Sequence, residues 1–225
     1  MRAIFRPVSA LLLASLLAGC IFGGGEKDRP APRQSAHKTV AAPPTNRETR
    51  QCYADLSRGG YQFRPLPDRD YGGGCEVRGA VQLLDIGVPV TGIKAMQCGL
   101  ADKFTAWITH GVRPAAIQIL GSDVVRVETY GTYACRNIRG NASASGKLSQ
   151  HAKANAVDVS GFVLADGRHI TVEKDWDTND SRIHRFMEVI HASACKRFDT
   201  VLSPDYNAAH YNHFHIDMGG GHFCR

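Results

Sequence analysis

The chain has 225 residues, 43% hydrophobic and 21% charged, an ordinary globular composition with enough length for one domain and a substantial core. Its formal charge of +6 is a mild excess that a solvated basic face explains and that would also suit an anionic polymer; no nucleic-acid-binding motif accompanies it.

In chain order, the first segment is not part of the fold. MRAIFRPVSALLLASLLAGC places Arg2 and Arg6 before an apolar run from Ala10 to Ala18 that is too short to span a bilayer, with small residues before Cys20. This is the layout of a cleaved secretory signal over 1–19. Leu17-Ala18-Gly19-Cys20 resembles a bacterial lipobox, in which Cys20 is lipidated and becomes the new N-terminus. Ile21 stands where an inner-membrane retention signal would have Asp, so the expected location is the periplasm, anchored by lipid to the outer membrane. Removing the leader takes away Arg2 and Arg6 and lowers the formal charge by two, to +4. Residues 20–50 are rich in Gly, Pro, Ala and charge with almost nothing to bury, and read as a flexible tether before a domain over 51–225.

Within that domain AVQLLDI (80–86) reads as a strand. CGLADKFTAWITHGV then puts Leu100, Phe104, Trp107 and Ile108 on one helical face, closed by Gly111 and Pro114. AAIQIL (115–120) and VVRVETYGTY (124–133) read as strands, and AVDVSGFVLADGRHITV (156–172) as a hairpin turning at Asp166-Gly167. SRIHRFMEVIHASACKRF (181–198) is a second helix, carrying Ile183, Phe186, Met187, Ile190 and Ala194, and HFHIDM (213–218) a last strand. Helices that precede and interrupt the strands without regular alternation predict an α+β domain, a largely antiparallel sheet with flanking helices. No internal repeat is present. Setting Cys20 aside, six cysteines remain with no CxxC pair, which favours disulfides over a thiolate metal site. The expected pairing is Cys52 with Cys75, Cys98 with Cys135, and Cys195 with Cys224.

Two short runs carry chemistry. In SQHAKANAVD, strand geometry puts Ala156, Asp158 and Ser160 on one face and Val157 and Val159 on the other, so the valines enter the core while the carboxylate faces a cleft, with His151 in the loop before it. Alone, the pair is equally readable as a capping Asp and a surface His. HYNHFHID adds His210, His213 and His215, the last two on one strand face with Phe214 and Ile216 anchoring the other; a polar face without metal is the plainer alternative. Together the runs supply two imidazoles and one carboxylate with a fourth position open, the composition of a catalytic rather than a structural Zn2+ site.

Ser149-x-His151-x6-Asp158 followed by His213-x-His215 resembles the signature of the zinc metallopeptidases that include lysostaphin-type enzymes, D-alanyl-D-alanine peptidases and penicillin-insensitive murein endopeptidases. More closely, CYADL, YACR, SQHAKANAVDVSGF, VLSPDYNAAHYNHFHIDMG and FCR resemble the bacterial extensin-like C-terminal domain family, across roughly residues 51 to 225. The resemblance implies a D-Ala-D-Ala metallopeptidase-like fold with zinc on His151, Asp158 and His215. It also implies His213 as general base or transition-state stabiliser, His210 as its helper, and Arg136 holding a substrate carboxylate or carbonyl. The implied reaction is hydrolysis of amide bonds in peptidoglycan stem peptides or cross-links, by a murein endopeptidase or a D,D-carboxypeptidase. A non-catalytic peptidoglycan-binding module and an envelope structural lipoprotein are the alternatives. Ser149 reads as a hydrogen bonder that fixes the loop. Two departures stand out: Ala154 occupies a place where the family pattern has Gly, and no Glu matches the base of the dipeptidase branch.

Overall fold

Asn46 caps the first helix, its side chain accepting the Glu48 N–H, and α1 (Arg47–Arg58) follows, starting inside the span read as tether. The computed structural model describes residues 46–225; the leader, Cys20 and the tether up to residue 45 lie outside the described residues. Strands β1 (Gln62–Pro65), β4 (Ala80–Asp85) and β5 (Met96–Gln97) form a small antiparallel sheet, and β2 (Arg69–Asp70) pairs with β3 (Glu76–Val77) in a ribbon. Among the described residues no helix is long and apolar enough to cross a membrane.

Next comes α2 (Cys98–Trp107), which does not stop at Gly111. It runs on through a wide turn (Ile108–Val112), α3 (Arg113–Ala115) and a second wide turn (Ala116–Leu120), and ends where Gly121 takes φ 74°. The strand expected over 115–120 is therefore helical. Ala116 and Leu120, one turn apart, are buried, whereas Ile117, whose branching favoured a strand, is 52% exposed. Gly111 is a packing glycine rather than a helix end, because a Cβ there would lie 2.7 Å from Ser193 Oγ on a neighbouring helix. Pro114, which lacks an N–H, is tolerated just after the wide turn in which the Arg113 N–H reaches back to Ile108 O.

The main sheet has β7 (Ala156–Leu164) at its centre. β6 (Val124–Gly131) pairs along one edge of it; along the other lie β10 (Phe214–Asp217) and, towards its C-terminal end, β8 (His169–Thr171). β9 (Thr200–Leu202) is antiparallel to β10, and β11 (Phe223–Cys224) is parallel to β9. The short α4 (Val172–Asp175) and the long α5 (Ser181–Cys195) connect β8 to β9, with Asp180 capping α5. This is a mixed α+β architecture with mostly antiparallel sheets, as the sequence predicts.

The core lies where the wound helix and α5 meet the main sheet. Trp107, Phe104, Phe162 and Phe186 are wholly buried, and the Trp107 indole N–H donates to Ile190 O at 3.1 Å. Each such side chain contributes about 1.5–3 kcal/mol over its exposed state. Val157 and Val159 of β7 and Phe214 and Ile216 of β10 enter the same core, which leaves the opposite face of this strand pair for polar residues.

Three disulfides close the domain, and two differ from the expected pairing. Cys52 joins Cys98 and Cys75 joins Cys135; Cys195 joins Cys224 as expected. Cys52 does not reach Cys75 because α1 packs on α2, which sets Cys52 beside Cys98 at the head of that helix. Three bridges fit an oxidising, extracellular or periplasmic location.

Candidate metal centre

β7 and β10 place the first two functional side chains. His215 and Asp158 are register partners in the antiparallel pair, so both project from the same face, and the valines and Phe214 on the other face fix that register. His151 comes from a short helical turn, Gln150–Lys153, in which Ser149 Oγ accepts the His151 N–H at 3.3 Å. The loop-fixing role read for Ser149 is what the geometry shows. The turn closes through Ala154 at φ 53°, the one non-glycine residue with positive φ among those described. The position that the resemblance marks for Gly is thus left-handed, and Ala accepts it with its methyl group buried against Val77 and Ala80.

The three side chains meet in a near-equilateral triangle. His151 Nε2 lies 3.0 Å from Asp158 Oδ1 and 3.1 Å from His215 Nδ1, and His215 Nδ1 lies 3.0 Å from Asp158 Oδ1. Their outer atoms decide what the inner ones are. His151 Nδ1 faces the Thr132 carbonyl at 3.0 Å, so that nitrogen carries the proton and Nε2 keeps its lone pair. His215 Nε2 faces Asp217 Oδ2 at 2.9 Å, which keeps a proton there, so it is from Nδ1 that the neutral ring presents its lone pair. With both rings neutral, two lone pairs and a carboxylate oxygen converge, each in a residue no more than 9% exposed. Such a group needs a cation. Tetrahedral zinc with bonds of about 2.0–2.1 Å wants donor separations of about 3.3 Å, close to those observed, so the residues fit the ion.

With only protons to share, the group is strongly polarised. Burial works against a charge on His215, yet its hydrogen bonds to Asp158 and Asp217 hold its pKa up at about 9. Burial likewise opposes the Asp158 carboxylate, but the adjoining His151 and His215 rings keep it well below the usual carboxylate range. A divalent cation would take the place of that shared proton.

Above the triangle opens a cleft of about 490 Å³ into which Asp158, His215, His213, His210 and Arg136 all face. His213 lies just before β10, its Nε2 3.5 Å from Asp158 Oδ1 and its Nδ1 2.9 Å from Asn212 Oδ1. His210 donates from Nδ1 to Asn207 Oδ1 at 2.7 Å. Both rings are held neutral. Burial, and the cost of a further positive charge beside the His213 and His215 rings, lower His210 to about 4, and burial lowers His213 even though Asp158 opposes the shift. Arg136 is half-buried, and among the described residues its guanidinium makes a single hydrogen bond, to Asn137 O at 3.4 Å.

All six residues expected at the site are therefore together, while Cys20 lies outside the described residues. Sequence reasoning missed Asp217, although the alternation that puts His213 and His215 on one face puts Asp217 there too. It also missed Asn207, Asn212 and the Thr132 carbonyl, for which the sequence carries no comparable signal. A second group, His191 with Cys195 and Cys224, has metal-like spacing, but its sulfurs are joined in a disulfide and offer no thiolate.

A protein-family model described as extensin-like protein C-terminus matches residues 50–225. No curated protein and no solved structure matches the chain.

Proposed function

The chain belongs to the extensin-like C-terminal family, and from that premise we propose that it is a zinc-dependent peptidoglycan hydrolase. It would cleave amide bonds in stem peptides or their cross-links, as a murein endopeptidase or a D,D-carboxypeptidase. The observation that carries this reading is the His151, Asp158, His215 triangle, which offers three donors and opens onto a cleft, whereas a structural zinc site is closed by a fourth protein ligand. Zinc held there would supply Lewis-acid polarisation of the scissile carbonyl and a water of lowered pKa.

The protein's own groups perform the rest. His213 is neutral, and its Nδ1–H is committed to Asn212, so Nε2 is free to accept a proton from the attacking water and return it to the leaving amine. His210 stands beside it, the ring centroids 5.2 Å apart, as a second neutral base. Arg136 has guanidinium donors without a protein partner among the described residues and would hold a substrate carboxylate or carbonyl. Export with a lipid on Cys20 and a tether of about thirty residues would set the domain within reach of the wall from the outer membrane.

Incubating purified sacculi with the zinc-loaded protein and identifying released fragments by mass spectrometry tests the reaction. His215→Ala should lose both zinc and activity, whereas His213→Ala should keep zinc and lose about 100-fold in rate, the usual share of a general base. Zinc loss from His213→Ala with retention in His215→Ala would overturn the assignment. Stoichiometric zinc and retention on sacculi without any released fragment would favour the non-catalytic binding module.

A further inference from the structure

Large apolar side chains left in water beside a cleft point to what the cleft binds. Seven such side chains are exposed among the described residues, and three of them, all aromatic, gather around the histidines: Tyr130 at 59%, Tyr211 at 55% and Phe223 at 46% exposure. Rings cross the cleft in an unbroken file. Tyr130 meets His213 edge-on with centroids 5.8 Å apart, His213 meets His210 at 5.2 Å, His210 meets Tyr206 at 5.5 Å, and Tyr206 meets Phe223 at 5.5 Å. Each of the three inner rings has an aromatic neighbour on both sides; the two outer rings have one apiece and are open to solvent.

The Tyr130 end carries polar groups as well. Tyr211 stands between His210 and His213 in the chain, and its phenol is close to that of Tyr130: partial burial, then Glu173, Tyr211 and Glu128 in turn, raise the Tyr130 hydroxyl above its ordinary value. Glu128 is committed to Arg126 and His169. Glu173 is not. Its exposed carboxylate and the two tyrosine hydroxyls have no hydrogen-bond partner among the described residues. The patch beside the proposed base therefore offers aromatic surface, two hydroxyls and one uncommitted acceptor.

That combination fits a pyranose. One side of a sugar ring is a layer of C–H bonds with slight positive charge, which settles on the negative face of an aromatic ring, while its rim of hydroxyls needs donors and acceptors at the edge. An aliphatic partner would instead shut the carboxylate and both phenols away from water unpaired. Stem peptides, built of small and charged residues, bring no large apolar group to cover the rings, whereas the glycan strand that carries them brings a C–H face. We propose that Tyr130 and Tyr211 form a sugar-stacking subsite for a pyranose of the glycan strand, with Glu173 accepting from its hydroxyls. The proposal rests on the hydrolase reading above and adds that the preferred substrate is a stem peptide still joined to glycan.

The test gives the zinc-loaded full chain cross-linked and pentapeptide muropeptides, each with its disaccharide and with the sugar removed. Wild type should prefer the sugar-bearing form by about 10-fold or more in kcat/KM, and Tyr130→Ala and Tyr211→Ala should each cut that preference about 2–10-fold, the usual worth of one aromatic contact, mainly through KM. Tyr130→Phe and Tyr211→Trp should keep most of it. Taking the ratio of two substrates cancels any effect of Tyr130→Ala on His213, and Tyr211, which has no ring contact among the described residues, supplies the deciding variant if Tyr130→Ala fails to fold. Equal kcat/KM with and without sugar in wild type, or a preference that both alanine variants retain, would overturn the subsite. A second measurement needs no hydrolysis. Titrating chitotetraose, the N-acetylglucosamine tetramer, into protein with labelled tyrosine rings should shift Tyr130 and Tyr211 but not Tyr71, which is 54% exposed and packs on Tyr133 instead. If wild type cleaves neither form, the hydrolase reading falls and this titration alone judges the subsite: shifts confined to Tyr130 and Tyr211 uphold it, and their absence overturns it.

Discussion

Asp217→Asn is a sharp test of the metal centre because it leaves all three proposed ligands in place. The Asp217 carboxylate is 6% exposed; Oδ2 takes the His215 Nε2–H at 2.9 Å and Oδ1 takes the Gly219 N–H at 2.8 Å. An amide has one oxygen where the carboxylate has two, so its NH2 must face one of these donors. The backbone N–H cannot change, but the imidazole can move its proton to Nδ1. That puts an N–H into the triangle, 3.0 Å from Asp158 Oδ1, where the cation would bind. Losing a hydrogen bond to a charged group costs about 1.5–3 kcal/mol, which corresponds to the roughly 10–100-fold loss of metal affinity typical of partners that orient a ligand. Competition for zinc against a chromogenic chelator measures it, with thermal unfolding of the metal-free protein as the check on folding. Asp199→Asn is the control: Asp199 Oδ2 holds the Gly220 N–H nearby without touching His215, and its zinc affinity should match wild type. A folded Asp217→Asn protein that binds zinc as tightly as wild type would refute the reasoning.

Other outcomes follow from single features. Non-reducing peptide mapping should recover Cys52 linked to Cys98 and Cys75 linked to Cys135, and a Cys52 to Cys75 peptide would contradict the fold; removing the Cys195–Cys224 bridge, 29 residues apart, should cost about 3–4 kcal/mol in urea unfolding. Ala154→Gly should barely change stability. Relief of a left-handed Ala, about 1–2 kcal/mol, is offset by loss of a buried methyl, about 0.8 kcal/mol, and by the looser unfolded chain, about 0.4–1 kcal/mol. Burial against Trp176 and Phe214 holds His191 below its usual 6.5, with Asp205 opposing the shift only in part. The unfolded chain therefore takes this proton first, so the stability linked to His191 is present above 6.5 and is lost as pH falls from there through the folded value. His191→Gln should flatten that dependence in urea melts at about pH 7.5 and about pH 5, and an unchanged slope would remove His191 as its source.

Much of the site was legible because one rule built it. Alternation along β7 and β10 sends Val157, Val159, Phe214 and Ile216 to the core and leaves Asp158 and His215 on the other face, and the turn at Asp166-Gly167 closes the hairpin where its residue types demand. The same alternation, carried two residues further, would have found Asp217. Readings failed where the deciding partner is remote in sequence. Gly111 reads as a helix stop until Ser193 is seen against it, and Ile117 and Ile119 read as strand until Ala116 and Leu120 are seen turning inward together. Cysteine pairing failed for the same reason, since the packing of α1 on α2, rather than spacing, chooses Cys98 for Cys52. Asn207 holds Ala209 and His210 two and three residues on, but its bond to Gly140 O depends on what faces it across the cleft.

The register of β7 with β10 has a consequence for assembly. Sliding either strand by one residue would turn Asp158 or His215 into the apolar layer, so a mispaired sheet keeps no partial version of the triangle. On the proposed reading, metal then discriminates between correct and shifted pairings in an all-or-none way. An ion present at about 1,000 times its dissociation constant favours the correct pairing by about 4 kcal/mol over any arrangement that cannot bind it. For a chain that folds after export, beyond the reach of ATP-driven chaperones, the ion would serve as a proofreader of strand pairing before it served in any reaction.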